Sequence, residues 1–354
     1  MSSSILPFRS WVAAALAVLV IELAILFTAH PNIFDRTNFL QFSFVKDETP
    51  QRLFVWEKIK AFADSNPTIL QSGDSSGFYG IEPNAVMKHL PAGVSYLNMS
   101  CCANLGFRGY YNIMELMAER NPSIKYMVLH FTPYTMPRPE LWDSDGAALW
   151  GIADVKVFGD AVHQEFLSLW RLFHLPSLTY RRQVTDYAYY AAGRFNDPNR
   201  PLLNNANYLE FHRTFRQTHG WMPESDARRP VATSECDIPT PDFFSVRDMG
   251  RKTYLQDVLD SYTALARRHR ATLVIVFQPV ACTLGTGRGS EKARAVINQF
   301  KHDNPDVEIP FPLIETWPAD IFTSEPAHVR REHTDQLADR LGPAMAEIIK
   351  RRGL

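Results

Sequence analysis

The chain of 354 residues lacks the motifs that mark zinc enzymes, nucleotide-binding enzymes and nucleic-acid-binding proteins. Its four cysteines show no C-x-x-C spacing and its eleven histidines no H-E-x-x-H motif, which argues against a metal site. It has no G-x-G-x-x-G motif, and its formal net charge of −1 offers no basic surface to nucleic acid. We therefore expect no cofactor, no metal ion and no nucleic-acid partner.

Cysteine is scarce, and only Cys101, Cys102, Cys236 and Cys282 are present. The adjacent Cys101 and Cys102 bridge each other only with strain, so we expect both to be buried as small apolar residues. Outside the cytoplasm, the other two are candidates for a disulfide between Cys236 and Cys282.

Long hydrophobic runs are absent except near the N-terminus, where residues 11–29 are apolar apart from Glu22. This length matches the hydrocarbon core of a membrane when the run is helical. A cleaved signal peptide is the alternative, but the run is too long for the apolar part of such a peptide and no small-x-small cleavage site follows it. We therefore predict a short tail at 1–10 and an uncleaved transmembrane signal anchor at 11–29.

The predicted anchor also implies a location for the rest of the chain. Arg9 precedes the run, while Arg36, Lys46 and Arg52 follow it, so the basic residues do not favour a cytoplasmic N-terminus. We still prefer that orientation because a short N-terminal tail is usual for signal anchors. It places the domain on the periplasmic, extracytoplasmic side of the inner membrane. Glu22 is either a tolerated carboxyl or, as we prefer, a contact with a partner inside the membrane.

Beyond a connector and helix at 30–65, the pattern of the chain predicts one α/β domain at 66–354. Between 68 and 133, apolar runs and helical spacing follow the order strand, helix-containing loop, strand, helix, strand, which predicts a parallel sheet with crossover helices. A further strand at 272–282 and a final helix continue this pattern. The polar, proline-rich stretch at about 137–245 interrupts it, and we expect an insertion that forms a lid or a partner surface.

Two short polar stretches stand where the reacting groups of such a sheet are expected. Gly73-Asp74-Ser75 follows the first strand, and the sequence EPAH, which ends at His328, precedes the last helix. Reacting groups gather at the carboxyl ends of the strands in doubly wound folds. Acyl transfer needs a nucleophile, a base that activates it and donors for the oxyanion. Ser75 is therefore the candidate nucleophile and His328 the candidate base.

Each of these candidates also has a purely structural interpretation. Ser75 would be a turn serine or a helix cap, and Asp74 would cap the following turn through backbone amides. His328 would be a surface histidine at the start of a helix. His333 competes with His328 for the role of base, although it falls inside the predicted helix.

The same stretches resemble the sequence blocks of the SGNH (GDSL) hydrolase superfamily. Gly73-Asp74-Ser75 resembles the first block, whose serine is the nucleophile. Residues 98–103 resemble the second block, in which an asparagine is followed five residues later by a glycine whose amide joins the oxyanion hole. EPAHV at 325–329 resembles the last block, in which an acid stands three residues before the catalytic histidine. The resemblance covers about 66–345 and implies a flavodoxin-like, three-layer α/β fold.

The resemblance also implies roles for individual residues. It implies a catalytic triad of Ser75, His328 and Glu325. It further implies an oxyanion hole formed by the amides of Ser75 and Ala103, with Asn98 and Asn104 as nearby side-chain donors.

Three features depart from the pattern of the superfamily. Ala103 stands where a glycine is expected, which narrows the pocket but keeps the backbone amide. Glu325 stands where aspartate is usual, so Asp320 is an alternative acid. The third strand ends in HFTPYTMP, without the asparagine of the superfamily's third block, which removes one expected oxyanion donor.

The anchor, the Thr-Pro dipeptide after the third strand and the insertion resemble membrane-anchored branches of this superfamily. Those branches act in teichoic-acid D-alanylation and in acetylation of alginate and similar exopolysaccharides, often beside a membrane-bound O-acyltransferase. The resemblance implies a serine acyltransferase or esterase acting on O-acyl groups of a cell-surface or secreted polysaccharide or a lipid-linked glycan. The alternative is a non-catalytic accessory subunit of a membrane complex. A hydrogen bond between Ser75 and His328 would favour catalysis.

Overall fold

The computed structural model describes residues 8–29, 55, 58–59, 61–101, 106–133, 213–223, 248–249, 252–281, 288–323 and 327–354. The chain divides into two compact units, one made of residues 1–53 and 145–208 and the other of residues 54–144 and 209–354. Residues 30–54 of the predicted connector and most of the predicted insertion lie outside the described residues.

The N-terminal apolar run forms helix α1, Phe8–Ala29. Its large hydrophobic side chains are exposed where the structure describes them, with Trp11 at 62% and Val20 at 64%. The side chain of Glu22 lies outside the described residues. In the part of the chain that the structure describes, no helix is long and apolar enough to cross a membrane, so the predicted span is not confirmed.

Parallel strands form the central sheet of the second unit. They are β1 (Ile69–Gly73), β2 (Tyr96–Asn98), β3 (Tyr126–Phe131) and β6 (Thr272–Phe277), whereas β4 (Asp248–Met249) and β5 (Lys252–Thr253) form a separate antiparallel pair. The order across the sheet is β2-β1-β3-β6. Every residue of strands β1, β2 and β3 is buried, as expected for parallel strands that helices cover on both faces.

An extended segment continues the sheet beyond β6, where Glu308 pairs in parallel with Val274. The order across the sheet is then β2-β1-β3-β6 followed by the segment at Glu308. When only these five parallel strands are counted in chain order, it reads 2-1-3-4-5, the order of flavodoxin-like doubly wound sheets. The direction of winding changes between β1 and β3, and ligands of such sheets bind beyond the carboxyl ends of the strands at this point. The predicted α/β class with a parallel sheet is confirmed.

Helices follow the strands and cover the sheet. They are α2 (Ser75–Gly80), α3 (Pro83–Met87), α4 (Gly106–Arg120), α5 (Tyr254–Arg268), α6 (Arg288–Asp303) and α7 (Thr334–Arg352). On one face, Leu337, Leu341 and Met345 of α7 share a buried apolar cluster with Val128 of β3 and Val276 of β6. This packing brings the last helix, and the loop before it, to the carboxyl end of the sheet.

A described piece of the predicted insertion, residues 213–223, lies along the edge of the sheet at β2. The amide of Asn98 donates to the carbonyl of His219 at 2.9 Å. Gly220 has a φ of +91°, and a Cβ there would lie 2.1 Å from the Asn98 carbonyl oxygen. Only glycine combines this left-handed backbone with so close an approach. The insertion therefore contributes to the wall next to the carboxyl end of β2.

Cys101 is buried as expected, with 1% of its surface exposed, but it is disulfide-bonded rather than a free thiol, which corrects that part of the expectation. A disulfide forms where the fold brings two Cβ atoms within bonding geometry, which residue type and spacing alone do not determine. The backbone of Cys101 is also held, because its amide donates to the Gly73 carbonyl at 3.0 Å. The other three cysteines, including the predicted Cys236–Cys282 pair, lie outside the described residues.

Candidate active site

The turn after β1 presents Ser75 at the start of α2. Gly73 is required there, because a Cβ at this position would lie 1.7 Å from the His130 carbonyl oxygen. The Asp74 carboxylate caps α2, accepting the amide of Ser76 at 3.0 Å and the amide of Thr132 at 2.8 Å. The capping role predicted for Asp74 is confirmed. These two hydrogen bonds join the turn after β1 to the end of β3.

Ser75 and His328 lie in direct contact, although 253 positions separate them in the chain. The distance between Ser75 Oγ and His328 Nε2 is 2.8 Å. His328 is buried, with 9% of its surface exposed, and Ser75 is half-buried. A serine hydroxyl at hydrogen-bond distance from an imidazole nitrogen is the geometry of a base-activated nucleophile.

Main-chain pairing holds the segment that carries His328. The amide of Thr323 donates to the His328 carbonyl at 2.8 Å, and Phe322 pairs with Val329 in an antiparallel bridge. From β6, the side-chain amide of Gln278 donates to the Ala327 carbonyl at 2.9 Å. The position of the imidazole is therefore set by a short hairpin and by a buried side chain at the end of β6.

Neither His333, the alternative base, nor Asp320, the alternative acid, makes the contacts predicted for it in the described hydrogen bonds. The ring of His333 pairs with the side chain of Gln336 at 3.2 Å, so it is not the histidine that contacts Ser75. Asp320 is exposed, and its described hydrogen bond joins its main-chain oxygen to Arg330 rather than its carboxylate to His328. Glu325 lies outside the described residues.

Asn98 has a different role from the predicted oxyanion donor. Its side-chain amide donates to the carbonyls of Gly77 at 2.8 Å and Ile81 at 2.9 Å. An asparagine amide has two hydrogens, so neither is left for an oxyanion. Asn98 instead stabilises the C-terminal end of α2, where both acceptor carbonyls lie. Ala103 and Asn104 lie outside the described residues. The backbone amide of Ser75 lies in the first turn of α2, where amides have no acceptor within the helix.

A buried polar layer supports α2 from the sheet. The side-chain amide of Gln71 donates to Ser100 Oγ at 2.8 Å, and its oxygen accepts the hydroxyl of Tyr96. Gly77 rests directly on this layer, since a Cβ there would lie 2.7 Å from His130 Nδ1 and 2.8 Å from Gln71 Nε2. The close approach of α2 to the sheet therefore depends on glycine at position 77, because a side chain there would collide with His130 and Gln71.

Burial lowers the pKa of His130 to about 4, while the Asp74 carboxylate raises it and the Arg340 guanidinium lowers it further. This second imidazole is therefore neutral at pH 7. Sequence reasoning did not single out His130, although a histidine within an otherwise apolar strand was a visible signal.

Aromatic side chains form one wall beside the base. The ring of Tyr79 lies 5.2 Å from the ring of His328. The indole nitrogen of Trp221, from the insertion, donates to the Tyr79 carbonyl at 2.7 Å. Neither residue was predicted at the site, because the contact between Trp221 and Tyr79 joins positions that lie 142 residues apart in the chain.

The described residues include no group of three or more histidine, cysteine, aspartate or glutamate side chains placed to hold a metal ion. Comparison with models of known protein families finds no match for the chain, and no curated protein matches it significantly.

Proposed function

We propose that the protein is a serine acyltransferase or esterase of the SGNH type, with Ser75 as nucleophile and His328 as general base. The observation that carries this proposal is the 2.8 Å contact between Ser75 Oγ and His328 Nε2. It is supported by the strand order of the sheet and by the position of Ser75 directly beyond β1, next to the point where the winding changes.

In the first step, His328 Nε2 takes the proton of Ser75 as Oγ attacks the carbonyl carbon of an acyl ester. The tetrahedral intermediate collapses, the bond to the alcohol oxygen breaks, and His328 returns the proton to that oxygen. In the second step, a glycan hydroxyl or water gives its proton to His328 and attacks the acyl-serine. As this second intermediate collapses, the bond between the acyl carbon and Ser75 Oγ breaks, His328 returns the proton to Oγ, and the acylated glycan or, with water, the free acid is released.

The remaining parts of the site are proposed from the sequence. Glu325 orients the His328 imidazole, and the amides of Ser75 and Ala103 bind the oxyanion. Because the Asn98 amide is committed to Gly77 and Ile81, backbone amides carry this binding.

The proposed substrates are O-acyl groups of a cell-surface or secreted polysaccharide or of a lipid-linked glycan. The proposed location is extracytoplasmic, at the inner membrane, and it is supported by the disulfide at Cys101, since disulfides persist in oxidising compartments. The proposed partner is a membrane-bound O-acyltransferase that supplies acyl groups. The exposed apolar side chains of α1 favour association of that helix with apolar surroundings.

A fluorophosphonate probe and p-nitrophenyl acetate test the proposal on the purified 354-residue chain. We expect covalent labelling and ester turnover by the wild type, and loss of both in Ser75→Ala. Ser76→Ala is the matched control, because this neighbouring serine is buried and its hydroxyl donates to Asp74 rather than to His328. It should still be labelled.

Negligible labelling of folded wild-type protein would reject the catalytic proposal. That result would favour the accessory-subunit alternative, in which the domain binds a membrane enzyme without performing chemistry. Equal labelling of the wild type and Ser75→Ala would place the nucleophile elsewhere.

A further inference from the structure

Lys58 is a fully buried lysine on an otherwise apolar helical face. Val55, Ile59 and Phe62 follow helical spacing and are buried, and Lys58 lies among them with none of its surface exposed. Lysine is almost never fully buried without a paired charge, because removing an ammonium from water is costly. No salt bridge joins Lys58 to a carboxylate within the residues that the structure describes.

The environment of the ammonium consists of carbonyls and aromatic faces. Lys58 Nζ donates to the carbonyls of Ser100 at 2.6 Å and Asn98 at 3.1 Å. It also lies 4.1 Å from the ring centroid of Phe78 and 5.5 Å from that of Phe215, at cation–π distances. Burial lowers the pKa of Lys58 well below its ordinary value.

These contacts converge on the helix that carries Ser75. Phe78 is a residue of α2, one turn after Ser75. Asn98, whose carbonyl accepts from Lys58, donates its side-chain amide to the Gly77 carbonyl of the same helix. Lys58 therefore contacts α2 directly at the ring of Phe78. It also contacts α2 indirectly, through Asn98, at the Gly77 carbonyl.

We propose that Lys58 is a positioning residue, which sets α2 and the segment after β2 so that Ser75 meets His328 in reactive geometry. This inference rests on the proposed serine acyl transfer. An apolar residue of the same length would fill the space without the cost of a buried ammonium, and replacement of buried charges by apolar groups is often neutral for stability. The Lys58 amino group, charged or neutral, donates two hydrogen bonds to main-chain carbonyls, which an apolar side chain cannot do.

The variant Lys58→Met tests the inference, because methionine keeps much of the length and removes the ammonium. We expect kcat for p-nitrophenyl acetate to fall about 10- to 100-fold, since small displacements of reacting groups have effects of this size. KM should stay within about twofold, because Lys58 does not contact the substrate in this mechanism. The rate of fluorophosphonate labelling should fall together with kcat.

The matched control is Val55→Ala, one turn earlier on the same buried face. It leaves a cavity and lowers Tm, but it leaves the contacts of the ammonium in place. We expect kcat per folded molecule to stay at the wild-type value. A general loss of stability would reduce activity equally in both variants, whereas a positioning role separates them.

A second variant, Lys58→Gln, keeps a shorter hydrogen-bond donor without the charge, and we expect an intermediate kcat. Wild-type kcat in folded Lys58→Met would overturn the inference while leaving the proposed function intact. Failure of both Lys58 variants to fold would also overturn it, because Lys58 would then serve the fold alone. Absence of labelling in the wild type would overturn the proposed function, and this inference with it.

Discussion

His130 is a fully buried residue of β3, and its ring lies against Gly77 of α2. Burial lowers the pKa of His130 to about 4; Asp74 favours the charged ring and Arg340 opposes it. In the unfolded chain the same imidazole titrates near its ordinary pKa of about 6.5. The unfolded state therefore binds the proton first as the pH falls. The contribution of neutral His130 to stability is complete above about pH 6.5 and is lost towards pH 4.

The variant His130→Gln removes this titration and keeps a polar side chain. Between about pH 6.5 and 4, we expect the free energy of unfolding of the wild type to fall more steeply than that of the variant, by up to about 1.4 kcal/mol per pH unit. Urea unfolding at several pH values measures both slopes. His302→Gln, at an exposed position of α6, is the control and should keep the wild-type slope. Parallel slopes for the wild type and His130→Gln would contradict the assignment.

The hairpin that carries His328 is an element without a regular helix or long strand. Its two sides are joined by the hydrogen bond from Thr323 to His328 and by a bond from the Arg330 amide to the Ile321 carbonyl at 2.9 Å. Gln278, 1% exposed at the end of β6, adds the bond to Ala327. Gln278 thus joins the end of β6 to the residue before His328 by a hydrogen bond, and we expect the position of His328 to depend on this bond.

The variant Gln278→Met keeps the side-chain volume but removes the donor to Ala327. We expect kcat for p-nitrophenyl acetate to fall about tenfold, with KM nearly unchanged, because the imidazole loses a restraint without losing its chemistry. Gln299→Ala, at an exposed position of α6 where the side chain donates to Asp303, is the control and should behave as the wild type. A wild-type kcat in Gln278→Met would show that the hairpin positions His328 alone.

At the scale of the whole molecule, the site joins parts of the chain that lie far apart in sequence. Ser75 follows β1, His328 precedes α7, and Lys58 and Trp221 come from segments outside the sheet. The disulfide at Cys101 adds a covalent restraint next to this assembly, since the Cys101 amide also bonds to the end of β1. Reduction should therefore affect both unfolding and the site.

We expect dithiothreitol to lower the Tm of the wild type, because a lost disulfide costs about 2–4 kcal/mol of stability. The variant Cys101→Ser should start from a lower Tm and respond less to the reductant. Differential scanning calorimetry with and without dithiothreitol measures the two shifts. Equal shifts in the wild type and the variant would show that the bond at Cys101 contributes nothing to stability.

The sequence alone determined the α/β class of the fold and the turn after β1 that carries Ser75. Buried apolar runs at β1, β3 and β6 are local patterns, and the alternation of such runs with helical spacing predicts a parallel sheet. The change from an apolar strand to Gly73-Asp74-Ser75 is local as well, because a close backbone approach and a helix cap each require particular residue types.

Only the tertiary structure decided which side chains work together. The choice of His328 over His333, the commitment of the Asn98 amide to α2 and the contact of Lys58 with the segment after β2 all depend on pairings across the chain. A residue type states what hydrogen bonds a side chain can form. The packing of strands, hairpin and insertion determines which atoms are near enough to form them, and for Ser75 and His328 that packing closes a separation of 253 positions to 2.8 Å.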